Sequence, residues 1–410
     1  MTDNAHPLSI DTLAVQAGSK TPAGKAMPAV PPIIPSVGFV HPALADTDAA
    51  LGYEGGTPFD PDMYVYSRYG GPTQAAFEEA ITALEGAEGA MSFSSGMAAL
   101  HAAVLAVVTP GSTIVAAEQL YGVTRTLLDW IDANMQVRVR YADFLDLDAV
   151  RAAVEEARPA CVICEVLTNP LSRVIEMDRV AEIAHDAGAM MLVDNTFATP
   201  FLLRPLERGA DVVIHSTTKF LNGHGDVLGG VLAGRRDVVQ RAYQHRRVLG
   251  AMPSAFDAWL SLRGLRTLAV RMRQACTSAA QIARWLAAHP RVSNVYYPGL
   301  PADAGHEAAT RLFGGEHYGS MLAFEVAGLD RAGAFRLMES LRLIKPVTSL
   351  GDVYSIVLHP ASASHRALTP EQREAQGITE GVLRLSVGIE SPDDLIADLE
   401  QALAAAAPAG

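Results

Sequence analysis

The chain reads as an α/β protein of the doubly wound kind, a mainly parallel sheet between helices, followed by a smaller α+β domain. Three observations carry this. Helical and short apolar segments alternate from about residue 72 to 265, the apolar runs are nearly continuous rather than alternating, and chemistry-bearing residues stand where those runs end. The alternation begins with QAAFEEAITALEG, amphipathic and stopped at Gly86. Ser94-Ser95-Gly96 then opens the apolar helix GMAALHAAVLAVV. STIVAAE is a strand, a helix runs from about Tyr121 to Ala133, and VRVRYAD is a strand. LDAVRAAVEEA (helix), ACVICEV (strand), DRVAEIAHDAG (helix), AMMLVDN (strand) and ADVVIHS (strand) follow. A long helical segment from about Ser254 through His289 leads into residues 266–410, where strands SMLAFEV and GVLRLSVGI mix with helices AGAFRLMESL and DDLIADLEQALAAA. Residues 1–71, rich in Pro, Gly and aromatics without helical period, read as an extended arm reaching a neighbouring subunit.

Composition narrows the function. With 410 residues, 49% hydrophobic, the core is ample for two domains, and a formal charge of −13 argues against nucleic acid or anionic membrane as partner. Three cysteines give no disulfide framework, and Cys161 and Cys164 form a C-x-x-C inside a buried strand, a context that favours packing over redox or metal chemistry. The start, MTDNAHPLSID, lacks the pattern of a signal peptide, and no apolar stretch is long enough to span a bilayer. A cytoplasmic protein is expected.

In open α/β sheets ligands sit beyond the carboxyl ends of the strands. There the sequence places Asp194, ending one apolar run, and Ser216-Thr217-Thr218-Lys219, ending the next. An acid, a lysine and hydroxyls in that setting suit pyridoxal 5′-phosphate (PLP). The lysine supplies a Schiff base, the acid keeps the pyridine nitrogen protonated, and the hydroxyls of Ser216 and Thr218 bind phosphate. A surface lysine is the ordinary alternative, and the crowd of Ser216, Thr218, His224 and glycines speaks against it. Ser95, Gly96 and Met97 open a helix, and free amides with the helix dipole make an anion site for the phosphate, beyond plain capping. Asn169, in LTNPLSR, is placed to hydrogen-bond the ring's phenolic oxygen. Tyr121, in EQLYGVT, stacks on the ring and donates a proton to a leaving group, or packs in the core. Tyr66 and Arg68, in the arm, reach the partner's phosphate. Arg384, on an alternating strand, forks an amino-acid carboxylate, with Ser349 assisting. The competing class, a dinucleotide oxidoreductase, needs a glycine fingerprint after the first strand, and GHGDVLGG stands in the wrong context. A PLP-binding regulator without activity is the remaining class, set against an intact Lys, Asp and Arg set.

Together YSRYGGPT, SSGMAAL, LYGVT, TNPLSR, DNTFATP, HSTTKFLNGHGD, SLRGLRTL, SLGD, HPASASH and LRLSVGIE resemble, in order over about residues 10 to 400, the Cys/Met-metabolism PLP enzymes: cystathionine γ-synthase, cystathionine β- and γ-lyases, methionine γ-lyase and homoserine sulfhydrylases. The resemblance implies a fold-type I PLP enzyme, a homotetramer of two dimers with shared active sites. Its substrates are sulfur amino acids or activated homoserine. It implies γ-elimination or γ-replacement of a C–S or C–O bond, with β-elimination as the alternative. Lys219 carries the cofactor, Asp194 pairs with the ring nitrogen, and Ser95 to Met97, Ser216, Thr218 and the other subunit's Tyr66 and Arg68 bind phosphate. Tyr121 stacks on the ring, and Arg384 takes the carboxylate. Several positions depart from the family pattern. Gly70-Gly71 precedes Pro72-Thr73, Val123 stands in the LYGxT loop, and Thr348 replaces a glutamate. Asp352-Val353-Tyr354 alters GGxES, and Ala363-Ser364 alters HPASMTH. Without the two usual glutamates, a distal ammonium such as cystathionine's lacks a carboxylate partner, and the site looks nearer to methionine γ-lyases and sulfhydrylases.

Overall fold

The structure, a computed structural model, describes residues 8–19, 28–51, 64–366 and 368–406. Parts of the arm (1–7, 20–27 and 52–63) and the last four residues lie outside this description. Among the described residues no helix is long and apolar enough to cross a membrane.

The strands of the larger sheet are β1 (Gly89–Phe93), β2 (Thr113–Ala117), β3 (Arg138–Ala142), β4 (Cys161–Glu165), β5 (Met190–Asp194), β6 (Val212–Ser216) and β7 (Gly230–Gly234). They lie in the order β1-β7-β6-β5-β4-β2-β3. Only β7 runs against its neighbours. The parallel strands β2 and β4 are buried at every position, which is why they read as unbroken apolar runs. The alternation expected from sequence places β2 through β6. It missed β1 and β7, which pair with each other: GAMSF and GVLAG are five residues long and rich in Gly and Ala, so they carry little strand propensity.

The arm is less extended than its composition suggests. It holds α1 (Ile10–Gln16), capped by the Ser9 hydroxyl, and α2 (Leu44–Leu51). The first of these packs against α3 (Pro72–Glu85), burying Ala14. Around the sheet follow α4 (Gly96–Leu105), α5 (Gly122–Asn134), α6 (Leu147–Ala157), α7 (Met177–Asp186), α8 (Thr199–Leu202) and α9 (Arg236–Leu249). Then α10 (Ala255–Leu265) and α11 (Leu268–Ala288) fill the expected long helical segment, broken at Arg266 and Thr267.

The smaller sheet contains β8 (Val292–Tyr296), β9 (Met321–Val326), β10 (Lys345–Pro346), β11 (Ile356–Leu358) and β12 (Val382–Ser386), in the order β10-β11-β12-β9-β8. Its helices are α12 (His306–Phe313), α13 (Arg331–Ser340), α14 (Pro370–Ala375) and α15 (Pro392–Ala405). Each sheet has its own apolar core, and α11 belongs to both. Leu268, Met272 and Cys276 sit in the larger core, whereas Ile282, Ala283 and Leu286 sit in the smaller. The helix therefore couples the two cores rather than following a linker.

Candidate active site

A cavity of about 480 Å³ opens beyond the carboxyl ends of β4, β5 and β6, and the smaller domain closes its far side. Strand order fixes what meets there. Glu165 and Asp194 end adjacent, paired strands, and Ser216 ends the next one.

One end of the cavity is backbone. The Ser95 hydroxyl accepts the Ala98 amide at 3.1 Å and caps α4, an interaction that contributes about 1 kcal/mol. Gly96 and Met97, in the first turn, line the cavity, and their amides have no acceptor within the helix. Glycine is required here. A side chain at Gly96 would meet Ser216 Cβ at 2.8 Å, and one at Gly230 would run into the Ser95 carbonyl and lie 2.6 Å from the Gly96 nitrogen. Thr196 ties the strand ends together. Its amide donates to Asp194 Oδ1 at 2.9 Å, and its hydroxyl accepts the Ser216 amide at 2.9 Å. Thr218 Oγ1 exchanges hydrogen bonds with the backbone of Gly229.

Lys219 follows β6 in a tight turn, and its Nζ donates to Ser349 Oγ at 3.1 Å. Burial, and then the nearby Arg384 cation, lower its pKa, while Asp352 opposes them. Asp194 is pushed up by burial. Glu165 is pushed up by burial and by the neighbouring Asp194 charge, although it accepts the amides of Tyr121 at 2.6 Å and Asn169 at 3.1 Å. Each buried acid would gain from a cation placed between the strand ends and the cavity.

Arg384, on β12, is buried and reaches across from the smaller sheet. One Nη donates to Asn169 Oδ1 at 3.0 Å and the other to the Ser349 carbonyl at 2.8 Å. Its Nε has no partner among the described residues. Burial brings its pKa down to about 10. Asn169 thus commits its carbonyl oxygen to Arg384 and keeps its NH₂ for the bond expected from sequence. Tyr121 stands at the start of α5 with its phenol raised by burial, so it is protonated at neutral pH.

Of the residues singled out in the sequence, Ser95, Gly96, Met97, Tyr121, Asn169, Asp194, Ser216, Thr218, Lys219, Ser349 and Arg384 line this one cavity. Tyr66 and Arg68 do not line it. The Arg68 Nη1 donates to the Arg247 carbonyl at 2.7 Å, and its guanidinium lies over the Tyr66 and Tyr69 rings. Sequence reasoning passed over Glu165 and Thr196. Glu165 carried the same signal as Asp194, an acid closing an apolar run, inside ACVICEV. Cys161 and Cys164 are buried in β4, and burial pushes the Cys161 thiol up to about 12, so it is inert as a nucleophile.

Residues 11–404 match the family model of the Cys/Met metabolism PLP-dependent enzymes. The chain belongs to this family. It is 40% identical to the O-succinylhomoserine sulfhydrylase of Pseudomonas aeruginosa over 97% of this chain and 96% of that one. It is 41% identical to the cystathionine gamma-synthase of Escherichia coli over 85% of this chain and 89% of that one. The fold matches cystathionine gamma synthase from Xanthomonas oryzae pv. oryzae, solved with aminoacrylate and cysteine. That match has a TM-score of 0.88 and 38% identity, and covers 98% of this chain and 99% of that one. The protein is a PLP-dependent enzyme of sulfur amino-acid metabolism. Its cavity fits the cofactor: a glycine-walled amide cradle, a half-buried lysine, and two acids, Glu165 buried and Asp194 half-buried, raised for want of a cation.

Proposed function

We propose that this enzyme acts on L-amino acids that carry a leaving group on Cγ and no distal ammonium, a thioether such as methionine or an acylated homoserine. It eliminates that group or replaces it with sulfur. The observation that carries the reading is the buried Arg384 fork with its unpartnered Nε, joined through Ser349 to the Lys219 amine. An α-carboxylate on that free edge brings Cα toward Lys219. The acids lining the cavity, Glu165 and Asp194, both lie at the strand ends, while Val123, Leu228 and Thr348 at its exposed mouth carry no charge. Among the described residues a second ammonium would find no partner there.

Pyridoxal phosphate, when bound, supplies an electrophilic carbon for amines and a ring that stores an electron pair. Lys219 would hold it covalently, with Asp194 against the ring nitrogen, Tyr121 on the ring face and Asn169 donating its NH₂. The amides of Gly96 and Met97, with Ser95, Ser216 and Thr218, would hold its phosphate, joined by Tyr66 and Arg68 of a neighbouring subunit in a cytoplasmic homotetramer. Lys219, its basicity lowered by burial, would accept the Cα proton of bound substrate. The Tyr121 phenol donates to the departing sulfur or oxygen.

The test is a panel of L-methionine, cystathionine, homocysteine and acylated homoserines, with and without a thiol. The expected products are 2-oxobutanoate and a thioether, with cystathionine the poorest substrate. Pyruvate as the main keto acid would overturn the preference for Cγ.

A further inference from the structure

Asp352 takes no part in the roles above, yet its placement is unusual. It follows Gly351, whose backbone is pressed onto the lysine turn: at φ +84°, a side chain there would lie 2.6 Å from the Phe220 nitrogen and 2.9 Å from the Lys219 carbonyl carbon. The loop from Ser349 to Asp352 therefore moves with Lys219. Its other anchors are the Gly351 amide on Ser386 Oγ at 2.9 Å and the Val353 amide on the Gly223 carbonyl at 2.9 Å.

Asp352 is 6% exposed, and its Oδ1 is buried without a hydrogen-bond partner among the described residues. The Tyr354 hydroxyl donates toward the carboxylate, and Lys345 Nζ lies 3.9 Å from the centre of the Tyr354 ring. Gly225 leaves room for both groups, since a side chain there would meet the Tyr354 hydroxyl at 2.9 Å and Asp352 Oδ1 at 3.2 Å. A buried carboxylate with an idle oxygen is costly unless a cation uses it. The charged groups that face it are Lys219, His224, Asp226 and Arg271. The Arg271 guanidinium is already spent on the carbonyls of Phe220, Leu221 and Gly264. Lys219, with one hydroxyl acceptor for its ammonium form, is the cation left to answer Asp352.

We propose that Asp352 is a positioning residue that sets the base strength of Lys219, its charge becoming dominant when a substrate carboxylate occupies Arg384. Lys219 feels the opposing charges of Arg384 and Asp352. A substrate carboxylate on Arg384 cancels the first field and leaves the second. The amine becomes a stronger base when the substrate Cα is in place, and Asp352 stabilises the ammonium formed as the proton arrives. No atom of Asp352 enters the reaction, because the proton taken from Cα is received by Nζ and passed onward by Nζ alone.

The inference rests on Lys219 carrying the cofactor, and the experiment separates the two claims. Borohydride reduction of holoenzyme, followed by peptide mapping, locates the lysine. In cofactor-free enzyme, acetylation of Lys219 against pH, followed by mass spectrometry, then gives the midpoint of the amine directly. Asp352→Asn should lower that midpoint by about 1 unit, and the acid limb of kcat should follow it downward. Tyr354→Phe, which removes the hydroxyl that partly neutralises Asp352, should raise the midpoint slightly, and this opposite sign is something general loosening of the loop would not produce. A reduced adduct on any other lysine overturns the function reading. An adduct on Lys219 overturns this inference alone if the midpoint is unmoved in Asp352→Asn or falls in both variants. Should Asp352→Asn fail to fold, a fall or no change in Tyr354→Phe overturns it.

Discussion

At the end of the cavity formed by the start of α4 the chain closes on itself backbone against backbone, whereas the opposite wall is made of side chains on loops of the smaller domain. Gly96 and Gly230 lie so near Ser95 and Ser216 that one added carbon has nowhere to go. Thr348 lies exposed between β10 and β11, and Ala363 and Ser364 follow β11 on a half-buried loop. The difference separates two kinds of requirement. The first end can hold one group in one place, and the second can be rewritten without disturbing the fold. Within a family that shares one cofactor and differs in substrate, that is the division expected.

The largest effect should come from breaking the rigid end. In Gly230→Ala the new methyl strikes the Ser95 carbonyl and the Gly96 backbone, neither of which can swing aside as a side chain would. Overpacking of this kind costs about 1–3 kcal/mol. Because the displaced atoms form the proposed phosphate cradle, affinity for the cofactor should fall at least about tenfold. Denaturant unfolding and cofactor titration measure the two. Thr348→Ala, at the other end, should leave both unchanged. If Gly230→Ala binds cofactor like the wild type, the cradle is softer than its contacts imply and the contrast fails.

Arg384 joins the two ends and should give the next effect. It is carried by the smaller sheet but fixed by Asn169 of the larger domain. Arg384→Lys keeps the charge and loses the planar fork, so the bonds to Asn169 and Ser349 cannot both be kept while a carboxylate is bound. Hydrogen bonds to charged groups contribute about 1.5–3 kcal/mol, and kcat/KM should fall about 10–100-fold, mostly through KM. A loss confined to kcat would mean that Arg384 positions Lys219 rather than substrate.

The same division decides what could be read in advance. The rigid end was legible because its demands are written as residue types in fixed order: an acid closing one apolar run, hydroxyls and a lysine closing the next, and a Ser-Gly-Met helix start. Its two omissions, Glu165 and Thr196, are of one kind. Each accepts a backbone amide from a neighbouring strand end, Glu165 that of Tyr121 and Thr196 that of Ser216, and such bonds depend on which strands are neighbours. The substrate wall was less legible for a different reason. Asp352 was visible as a departure from the family pattern, but its burial and its idle oxygen come from the Gly351 contact with Lys219 and the gap above Gly225, which arise from segments over a hundred residues apart. The helices of the arm were missed because α1 is seven residues long and owes its stability to packing on α3, not to period or propensity.

The smallest effect tests whether the substrate wall sets specificity at all. Thr348 lies exposed at the mouth, beside Val123 and Leu228. Thr348→Glu restores a carboxylate where a distal ammonium would arrive, and it should raise kcat/KM for cystathionine relative to methionine. The size depends on solvent. An ion pair open to water contributes about 0–1 kcal/mol, so a mouth left open by its own chain allows only about a threefold change in the ratio. If the arm of a neighbouring subunit covers the mouth in solution, the pair is partly desolvated, and the change should exceed about tenfold and resist added salt. The measurement is the ratio of kcat/KM values for the two substrates at low and high ionic strength. A ratio that does not move in either condition would place specificity elsewhere, and Thr348 would then be an ordinary loop residue.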